Sequence, residues 1–507
     1  MNIVFRTDAS ETLGFGHLMR CTALAQWLRR EGARVAFVSH ALPDWVHDRF
    51  HRYDIEFLEI PEERSSWADG GASFDPEFDA STTNRLLGTL AGRWQGVDWL
   101  VIDHYRIDHK WQAQLQLDDC RILVIDDLAD RSHRCDVLVD ANIAYQGEHP
   151  YKDLVPRQCR CLFGPRYALL SPDFYEFEAD RIARSDTALN VLVCFGGGDH
   201  SGEVLKVLEG LAACSIEGVS VILIAAENTR IAEFIEQHAG RLPPVTWLHH
   251  VDDMPVRLAN ADIAVGGGGV MNWERAFFEV PSIVVSLADN QRRSNEWLSN
   301  NGKIIYLGVA DAATPKAYAA AITTLIGSPG LRNYFANSNG ELVDGKGAGR
   351  VVKEMLRPAI RLREAGAADI HDVFEWHNAP STWQFSIHQR PATWGEHQQW
   401  YQRVLEDPDR VLLIGEADGS PVGVLRFDIV GNKAVVSVYL VPGHYGRGFG
   451  KRLLEEGMQW LRAHRSEVTL IEAVVAAENI ASCRVFSELG YQARFRTYEL
   501  SLRHEPS

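Results

Sequence analysis

Short apolar runs alternate with helix-like segments along the first half of the chain. Residues 2–5 (NIVF) form one such run, apolar residues at helical spacing extend from about His17 to Arg30, and residues 34–38 form the next run. A short unbroken apolar run is typical of a strand buried on both faces, and Gly32 stands where a helix is expected to end. The pattern predicts a strand, a helix and a second parallel strand, the repeating unit of a doubly wound sheet.

Two later apolar runs in this region end in aspartate. Residues 99–102 lead into Asp103, and residues 122–125 lead into Asp126 and Asp127. The carboxyl ends of parallel strands open on a ligand crevice, so we expect polar chemistry at this edge of the sheet.

The same alternation begins again near residue 189. Apolar runs at residues 189–195, 219–224 and 281–285 predict strands, and another at 261–265 leads into four glycines and a helix from about Asn272. Two Rossmann-like halves in tandem imply a cleft between them.

The pattern changes after about residue 361. Residues 369–401 are rich in tryptophan and histidine and have helical spacing, and strand-like runs follow at 410–415, 421–427 and 434–441. A glycine-rich loop and another helix come next, which indicates a separate α+β domain. The predicted organisation is α/β, with Rossmann-like halves at residues 1–175 and 176–358 and an α+β domain at 362–507.

Composition and charge narrow the functional classes. The chain has 507 residues and a formal charge of −17, a balance that repels nucleic acid and anionic membranes, so we expect neither as a partner. No tract is long enough to cross a bilayer, and the opening residues MNIVFRTDAS lack the features of a signal peptide, so we expect a cytoplasmic protein. The eight cysteines include no C-x-x-C pair and predict no zinc site.

A histidine directly follows two glycines at the first strand-to-helix junction. Gly14 and Gly16 precede His17, but Met19 stands where a dinucleotide fingerprint would have its third glycine. Glycines let a ligand approach the backbone, and the first helix amides favour negative charge there. The same dipole disfavours imidazolium, so we expect a neutral His17 that can accept a proton, with Arg20 on the same helix face. Alternatively, His17 only caps or packs at the helix end.

Roughly residues 1 to 350 resemble the UDP-sugar hydrolase of pseudaminic acid biosynthesis, a relative of the GT-B glycosyltransferases. The pattern R-x-D-x-S followed by G-x-G-H-x-x-R-C at residues 6–21 carries the resemblance. Further matching motifs follow in the family's order at residues 103–105, 163–169, 195–199, 273–275 and 290–291. The resemblance implies that His17 is the base that activates water against the anomeric carbon.

The resemblance also implies a substrate site formed by both halves. The four glycines at residues 266–269 suit an anion cradle for pyrophosphate, and Glu274 is placed to accept both ribose hydroxyls of uridine, although a first-turn carboxylate also stabilises a helix dipole. Val270 and Met271 replace the Ser/Thr residues usual in the family, so backbone amides would bind the phosphates. The implied substrate-binding residues are Gly14, Gly16, Arg20, Tyr105, Arg166, Gly198, Asp199, Gly268, Gly269, Asn272, Glu274, Asn290 and Gln291.

The implied hydrolysis needs few groups. UDP is a good leaving group, so one base for the water suffices, and attack from the opposite face inverts the anomeric centre. The D-x-D sequence, Asp407-Pro-Asp409, lies in the other domain, so we expect no metal for this reaction.

Residues 362–503 resemble the GNAT N-acetyltransferases. A strand at residues 436–442, a glycine-rich loop at 443–450 and a helix follow one another, and residues 478–482 and 486–491 complete the resemblance. It implies that the amides of residues 447–450 hold the pyrophosphate of acetyl-CoA and that those of residues 439–441 align the thioester. The implied cofactor-binding residues are Tyr439, Leu440, Val441, Arg447, Gly448, Phe449, Gly450, Asn479 and Ser482.

Trp376-His-Asn378 and Gly395-Glu-His397, with Trp400 beyond them, further resemble the acetyltransferase that acts on the 4-amino group of the same sugar nucleotide. The alternative is that this Trp/His stretch only packs in a core.

The general acid of the acetyltransferase stays open. Tyr445 stands where Gln or Arg opens the usual GNAT loop, and Phe486 replaces the tyrosine that many GNAT enzymes use as acid. Tyr491, Tyr498 or water are the alternatives.

Together the resemblances imply two consecutive reactions. The GNAT domain would acetylate the 4-amine of UDP-4-amino-4,6-dideoxy-N-acetyl-β-L-altrosamine, and the N-terminal part would hydrolyse the product to UDP and 2,4-diacetamido-2,4,6-trideoxy-L-altrose. Two rivals remain: a glycosyltransferase with an acceptor hydroxyl in place of water, and a sugar-nucleotide binding protein without hydrolase activity.

Overall fold

The computed structural model divides the chain into two compact units, residues 1–355 and 356–507. It describes residues 1–10, 14–61, 74–116, 120–142, 149–177, 189–214, 216–249, 251–357, 360–383, 390–417, 419–476 and 478–494. Among these residues, no helix combines the length and the apolar character that a membrane span requires.

The first sheet of the N-terminal unit has seven parallel strands in the order β3-β2-β1-β4-β5-β6-β7. The strands are β1 (Asn2–Thr7), β2 (Arg34–Ser39), β3 (Glu56–Glu59), β4 (Trp99–Asp103), β5 (Arg121–Ile125), β6 (Val137–Asp140) and β7 (Arg160–Phe163). The order reverses between β1 and β4, and such a switch point opens a crevice at the carboxyl ends of the strands.

Helices cover both faces of this sheet, as its apolar strands require. They are α1 (Gly16–Arg30), α2 (Asp44–Arg52), α3 (Pro76–Trp94), α4 (His109–Ala113) and α5 (Pro172–Glu176). Ile3 and Phe5 of β1 pack in one core with Leu24 of α1, whereas Val4 between them packs in a second core on the opposite face. The period-two alternation of strand side chains places the two sets on opposite faces.

The second sheet has six parallel strands in the order β10-β9-β8-β11-β12-β13. The strands are β8 (Leu189–Cys194), β9 (Val219–Ile224), β10 (Val245–Leu248), β11 (Ile263–Gly267), β12 (Ser282–Ser286) and β13 (Ile305–Val309). Its helices are α6 (Ser201–Ala212), α7 (Thr229–Gln237), α8 (Met254–Ala259), α9 (Val270–Phe277), α10 (Asp289–Asn300), α11 (Pro315–Gly327) and α12 (Pro329–Gly340).

A last helix of this unit, α13 (Gly347–Met355), returns to the first half. Val351 and Met355 are fully buried in the core that contains β1 and α1, and Trp99 donates a hydrogen bond from Nε1 to the Met355 carbonyl oxygen at 3.1 Å. Residues 347–355 therefore pack with the first half, although the sequence pattern grouped them with residues 176–358.

The C-terminal unit contains a five-stranded mixed sheet in the order β14-β15-β16-β17-β18. Its strands are β14 (Arg361–Glu364), β15 (Arg410–Ala417), β16 (Ser420–Val430), β17 (Lys433–Leu440) and β18 (Leu470–Ala473), antiparallel except for the last pair. Its helices are α14 (Ile370–Asn378), α15 (Pro380–Trp383), α16 (Trp394–Glu406), α17 (Phe449–His464) and α18 (Ile480–Glu488).

Alternate residues of β15 face two different helix layers. Leu412 packs with Val373 of α14 and Val404 of α16, whereas Leu413 packs with Leu454 of α17. The α17 layer approaches closely because Gly457 faces the sheet, where an added Cβ would lie 2.1 Å from Leu425 Cδ2. The expected fold class, two Rossmann-like halves followed by an α+β domain, is confirmed.

Candidate active sites

A histidine and a buried aspartate meet at the switch point of the first sheet. His17 is the second residue of α1, Asp103 is the last residue of β4, and His17 Nδ1 lies 2.6 Å from Asp103 Oδ1. Burial by itself would raise the pKa of Asp103, but Arg20 and His17 hold that pKa well below its usual range. An ionised carboxylate only accepts hydrogen bonds, so the contact with Asp103 favours the tautomer of His17 with its proton on Nδ1 and leaves Nε2 as the nitrogen that can accept one.

Arg20 connects this pair to a second aspartate. Its Nε donates to Asp103 Oδ2 at 2.6 Å, and its Nη1 donates to Asp127 Oδ2 at 3.1 Å. Asp127 also accepts a 2.7 Å hydrogen bond from the hydroxyl of Tyr105, and burial and Asp127 raise the pKa of Tyr105 far above its usual value. The Tyr105 ring meets the His17 ring edge-on, with 4.4 Å between centroids.

Tyr105 also joins the two Rossmann-like halves. Asn290, in the first turn of α10, donates from Nδ2 to the Tyr105 hydroxyl at 2.8 Å. The polar chain therefore runs from His17 in the first half to Asn290 in the second. Sequence reasoning did not include Asp103 or Asp127 among the site residues, although the aspartate that ends each strand was a usable signal.

The R-x-D part of the N-terminal motif forms a buried ion pair. Arg6 is fully buried and donates to Asp8 at 2.6 Å, and Asp79 of α3 accepts from it on the other side. His104 Nε2 lies 3.1 Å from Asp8 Oδ2, and His40 contacts the same carboxylate. These groups connect α3 with the carboxyl ends of β1, β2 and β4, at the same edge of the sheet as Asp103.

The glycine loop before α1 meets a glycine loop of the second half. Gly14 has a φ of +78°, and an added Cβ would lie 3.6 Å from the Gly197 carbonyl oxygen. A Cβ on Gly197 would lie 2.8 Å from Cδ2 of Phe15, so the two loops approach too closely for a side chain there. An added Cβ on Gly16 would meet nothing within 4 Å, so there is open space beside the first residue of α1.

The glycines after β11 shape the start of α9. A Cβ on Gly268 would lie 2.3 Å from Asn295 Nδ2, and Gly269 has a φ of +83° at the N-cap of α9. Gln291 accepts a 2.9 Å hydrogen bond from the Leu287 amide, and its Nε2 faces the position of a Gly269 side chain at 3.4 Å. The side chains of Asn295 and Gln291 therefore pack against these two glycines at the start of α9.

Glu274 and Asn272 occupy different environments on α9. Burial raises the pKa of Glu274 to about 7, against the opposing effect of Arg275. Asn272 donates to Asn295 at 2.8 Å and accepts from Arg275 at 2.7 Å, so its side chain is used inside the second half.

Three of the other expected substrate residues lie on turns. Arg166 lies in a short 3-10 turn with its guanidinium 5.2 Å from the centroid of the Tyr167 ring. Gly198 precedes Asp199, which accepts a 3.0 Å hydrogen bond from the Ser201 amide at the start of α6. The described contacts do not connect these three residues to the His17 network.

The glycine-rich loop of the C-terminal unit leads into the N-terminus of α17. Gly448 is the N-cap, with a φ of +81°, and Gly446 has a φ of +74°. Added Cβ atoms at both would meet nothing within 4 Å, and so the loop amides and the first α17 amides face open space. Such an arrangement fits the pyrophosphate of acetyl-CoA.

Residues 370–491 match the Acetyltransferase (GNAT) family. This part of the chain is a GNAT domain. The resemblance to the GNAT enzymes is therefore confirmed.

Other relatives match the N-terminal unit or the whole chain. The UDP-2,4-diacetamido-2,4,6-trideoxy-beta-L-altropyranose hydrolase of Campylobacter jejuni is 24% identical over 307 residues, which cover 60% of this chain and 97% of the hydrolase. An uncharacterized protein of Methanocaldococcus jannaschii is 20% identical over 515 residues, or 97% of both chains. The solved structure of Acinetobacter baumannii MurG covers 70% of this chain and 99% of MurG, with a TM-score of 0.50 and 14% identity, which supports the GT-B-like fold. The chain thus joins a homologue of the hydrolase to a GNAT domain.

The expected cofactor residues of the GNAT domain lie at three places. Tyr439 and Leu440 end β17, and the Val441 amide donates to the Val422 carbonyl oxygen at 3.0 Å. Asn479 caps α18 by accepting a 3.1 Å hydrogen bond from the Ser482 amide. Arg447, Gly448, Phe449 and Gly450 span the loop and the first turn of α17, and the Phe449 ring is buried beneath it.

The candidate acids of the GNAT domain differ in their surroundings. Burial raises the pKa of Tyr491 to about 12, its ring packs on Phe486, and its hydroxyl has no hydrogen-bond partner among the described residues. Tyr445, which opens the loop and was not among the candidate acids, has its hydroxyl 2.7 Å from that of Ser381. Tyr498 lies outside the described residues.

The Trp/His stretch contains packing residues as well as candidate ligands. His397 is buried, and its Nε2 donates to the Ile370 carbonyl oxygen at 2.9 Å, which ties α16 to α14. Trp400 packs beside the core and lies beneath the Arg426 guanidinium at 5.6 Å. His397 is therefore a packing residue, which agrees with the alternative that the Trp/His stretch packs in a core.

Proposed function

We propose that the chain is a bifunctional enzyme of pseudaminic acid biosynthesis. Its GNAT domain acetylates the 4-amine of a UDP-4-amino sugar with acetyl-CoA, and its N-terminal unit hydrolyses UDP-2,4-diacetamido-2,4,6-trideoxy-β-L-altropyranose to UDP and the free sugar. Homology to the Campylobacter hydrolase and the fused GNAT domain support this pairing of reactions. The single observation that carries the hydrolase part is the 2.6 Å contact between His17 and Asp103 at the switch point.

In the proposed hydrolysis, Nε2 of His17 accepts a proton from water. The water oxygen forms a bond to the anomeric carbon as the bond from that carbon to UDP breaks, with inversion. Asp103 holds the His17 tautomer and stabilises the imidazolium that forms, because its carboxylate is ionised and 2.6 Å away. The amides at the start of α1 and α9 stabilise the departing diphosphate.

The proposed substrate site draws on both halves. Gly14 and Gly16 give access to the α1 amides, Gly268 and Gly269 to those of α9, and Glu274 accepts the ribose hydroxyls. Support comes from the open space at Gly16 and from the Tyr105–Asn290 hydrogen bond, which holds the two halves together at His17.

The proposed acetylation uses the open loop before α17. The amides of residues 447–450 hold the pyrophosphate of acetyl-CoA, and the end of β17 aligns the thioester. When bound, acetyl-CoA supplies the activated acetyl group. Covalent linkage of the two units raises the local concentration of the acetylated product for the second reaction.

A two-product assay tests the proposal. The full-length enzyme receives the UDP-4-amino sugar with and without acetyl-CoA, and free thiol and UDP are followed separately. We expect thiol first, UDP only when acetyl-CoA is present, and loss of UDP release without loss of thiol release in His17→Gln. His51→Gln, which changes an exposed histidine of α2, is the matched control and should retain both activities.

Each reaction can fail separately in this assay. UDP release that is equal in His17→Gln and wild type would remove the hydrolase assignment. Transfer of the sugar to the hydroxyl of an added acceptor, with release of UDP and no free sugar formed, would establish the glycosyltransferase rival. Thiol release that does not depend on the amino sugar would remove the acetyltransferase assignment.

A further inference from the structure

On one face of the GNAT sheet, His377 lies beside Tyr439, at the strand end that is expected to align the thioester. Helices α14 and α16 cover this face, where Val424, Ile414 and Tyr401 are buried. Tyr439 pairs across the strands with Val424, so both side chains lie on this face. His377, near the end of α14, meets the Tyr439 ring edge-on with 5.9 Å between centroids.

The position of His377 is set by its neighbour. Asn378 donates from Nδ2 to the Ala392 carbonyl oxygen at 2.9 Å and accepts from the Ala392 amide at 2.9 Å. This double contact ties the end of α14 to the segment before α16. The His377 Nδ1 atom lies 3.5 Å from Asn378 Oδ1, an acceptor already turned towards it, which favours the tautomer with the proton on Nδ1.

Two buried polar atoms on the same face lack protein partners. The Tyr439 hydroxyl and Nε of Arg426 have no hydrogen-bond partner in the part of the chain that the structure describes. Arg426 lies two residues beyond Val424 on β16 and therefore points to the same face. Buried polar groups are usually satisfied, so these atoms indicate that a polar ligand group completes the site.

We propose that His377 is the general base of the acetyl transfer. Its Nε2 takes a proton from the ammonium of the acceptor sugar, and the neutral amine that results attacks the thioester. This inference rests on the proposed acetyltransferase function. The amine nitrogen forms a bond to the acetyl carbonyl carbon, and the carbon–sulfur bond breaks. Nitrogen loses its second proton as the thiolate becomes a thiol, so the products are the amide, coenzyme A and one proton that His377 passes to water.

The surroundings of His377 suit this role. Burial lowers the pKa of His377, Asn378 opposes that effect, and the positive charge of Arg426 adds to it. The groups that face His377 are Arg426 from β16, Tyr439 from β17 and His397 from α16, and Arg426 is paired with Asp428 at 3.0 Å. A neutral imidazole near pH 7 is able to accept a proton, and the Arg426 charge also favours the neutral form of a nearby amine.

The test compares His377→Gln with wild type in the full-length enzyme. Initial rates of thiol release are measured with saturating acetyl-CoA and varied UDP-4-amino sugar, from acid to alkaline pH. We expect kcat/KM to fall by roughly 10²-fold or more near pH 7, with a smaller deficit at alkaline pH, where the amine is already neutral. The Kd of acetyl-CoA should not change.

The matched control is His371→Gln. His371 lies on the same helix, is exposed and stacks on Trp394 with 4.5 Å between ring centroids, so its replacement should leave the thiol rate near that of wild type. A second variant, His377→Ala, is tested with added imidazoles of different pKa. The rescued rate should rise with the basicity of the added imidazole, which a packing role would not produce.

Four outcomes overturn the inference. Full activity of His377→Gln at pH 7, a deficit that is the same at every pH, or no rescue of a folded His377→Ala each removes the base role while the acetyltransferase function stands. Absence of thiol release from wild type with this amino sugar instead removes the proposed acetylation, and the base assignment with it.

Discussion

Nδ1 of His17 lies 2.6 Å from Oδ1 of Asp103, a completely buried carboxylate that is 86 residues away along the chain. The contact sets which nitrogen of His17 is free to accept a proton. A lone histidine at a helix end has no such constraint, so the proposed role of His17 as a base depends on Asp103.

Asp103→Asn should therefore slow UDP release while acetyl transfer continues. The amide can donate to Nδ1 and so favour the wrong tautomer, and we expect kcat to fall by roughly 10²- to 10⁴-fold. The kcat is measured from steady-state UDP release with the diacetylated sugar nucleotide as substrate. Asp130→Asn is the control, because Asp130 is an exposed aspartate paired with Arg131, and normal UDP release from Asp103→Asn would contradict the prediction.

Tyr105→Phe should weaken the contact between the two halves. It removes the hydrogen bond to Asp127 and the acceptor used by Asn290, and we expect kcat/KM for UDP release to fall about tenfold. The loss should not add to that of Asn290→Ala, since both changes break the same hydrogen bond. Tyr53→Phe, which removes a 3.2 Å tyrosine–aspartate hydrogen bond to Asp173, is the matched control, and additive losses would disprove the coupling.

Glu274→Gln should stabilise the protein at alkaline pH. The pKa of Glu274 is raised by burial from 4.5 to about 7, so the folded state favours the neutral acid. Stability from this group is fully present below pH 4.5 and is lost as pH rises through 7. The variant should match wild type near pH 4.5 and exceed it at pH 8 by roughly 3 kcal/mol. Thermal unfolding at both pH values measures the difference, with the exposed Glu296→Gln as control.

Gly448→Ala should weaken acetyl-CoA binding selectively. Gly448 and Gly431 both have positive φ angles, of 81° and 62°, and neither has a neighbour within 4 Å of an added Cβ. Alanine at either position should cost about 1 kcal/mol of stability through backbone strain. Only Gly448 lies at the start of α17, so calorimetry should show weaker acetyl-CoA binding for Gly448→Ala than for Gly431→Ala. Equal affinities of the two variants would contradict the proposed acetyl-CoA site.

Local patterns predicted the strands and the first helix closely. The apolar runs at residues 34–38 and 219–224 became β2 and β9, and the helix expected from about His17 begins at Gly16. These elements are buried on sheet faces, so their own sequences carry the signal. The run at residues 261–265 was placed two residues early, because β11 continues into the glycines to Gly267.

Roles that depend on distant partners were harder to predict. The side chain of Asn272, an expected substrate residue, donates to Asn295, which comes 23 residues later. No local pattern indicates that contact. Asp127 was noted only as the end of a strand, and its contacts with Arg20 and Tyr105 depend on how α1, β4 and β5 pack. The substrate and cofactor residues carried by the family resemblance stay predictions until they are tested.

The sequence by itself determined the α/β organisation, the glycine loops before α1 and α17, and the place of His17 at a helix start, because burial period and glycine geometry act over neighbouring residues. Only the tertiary structure decided that Asp103 orients His17, that Asn290 reaches Tyr105 from the other half and that His377 faces Tyr439. Those pairings depend on the order of strands in a sheet and on helix packing, which bring together residues that no local pattern connects.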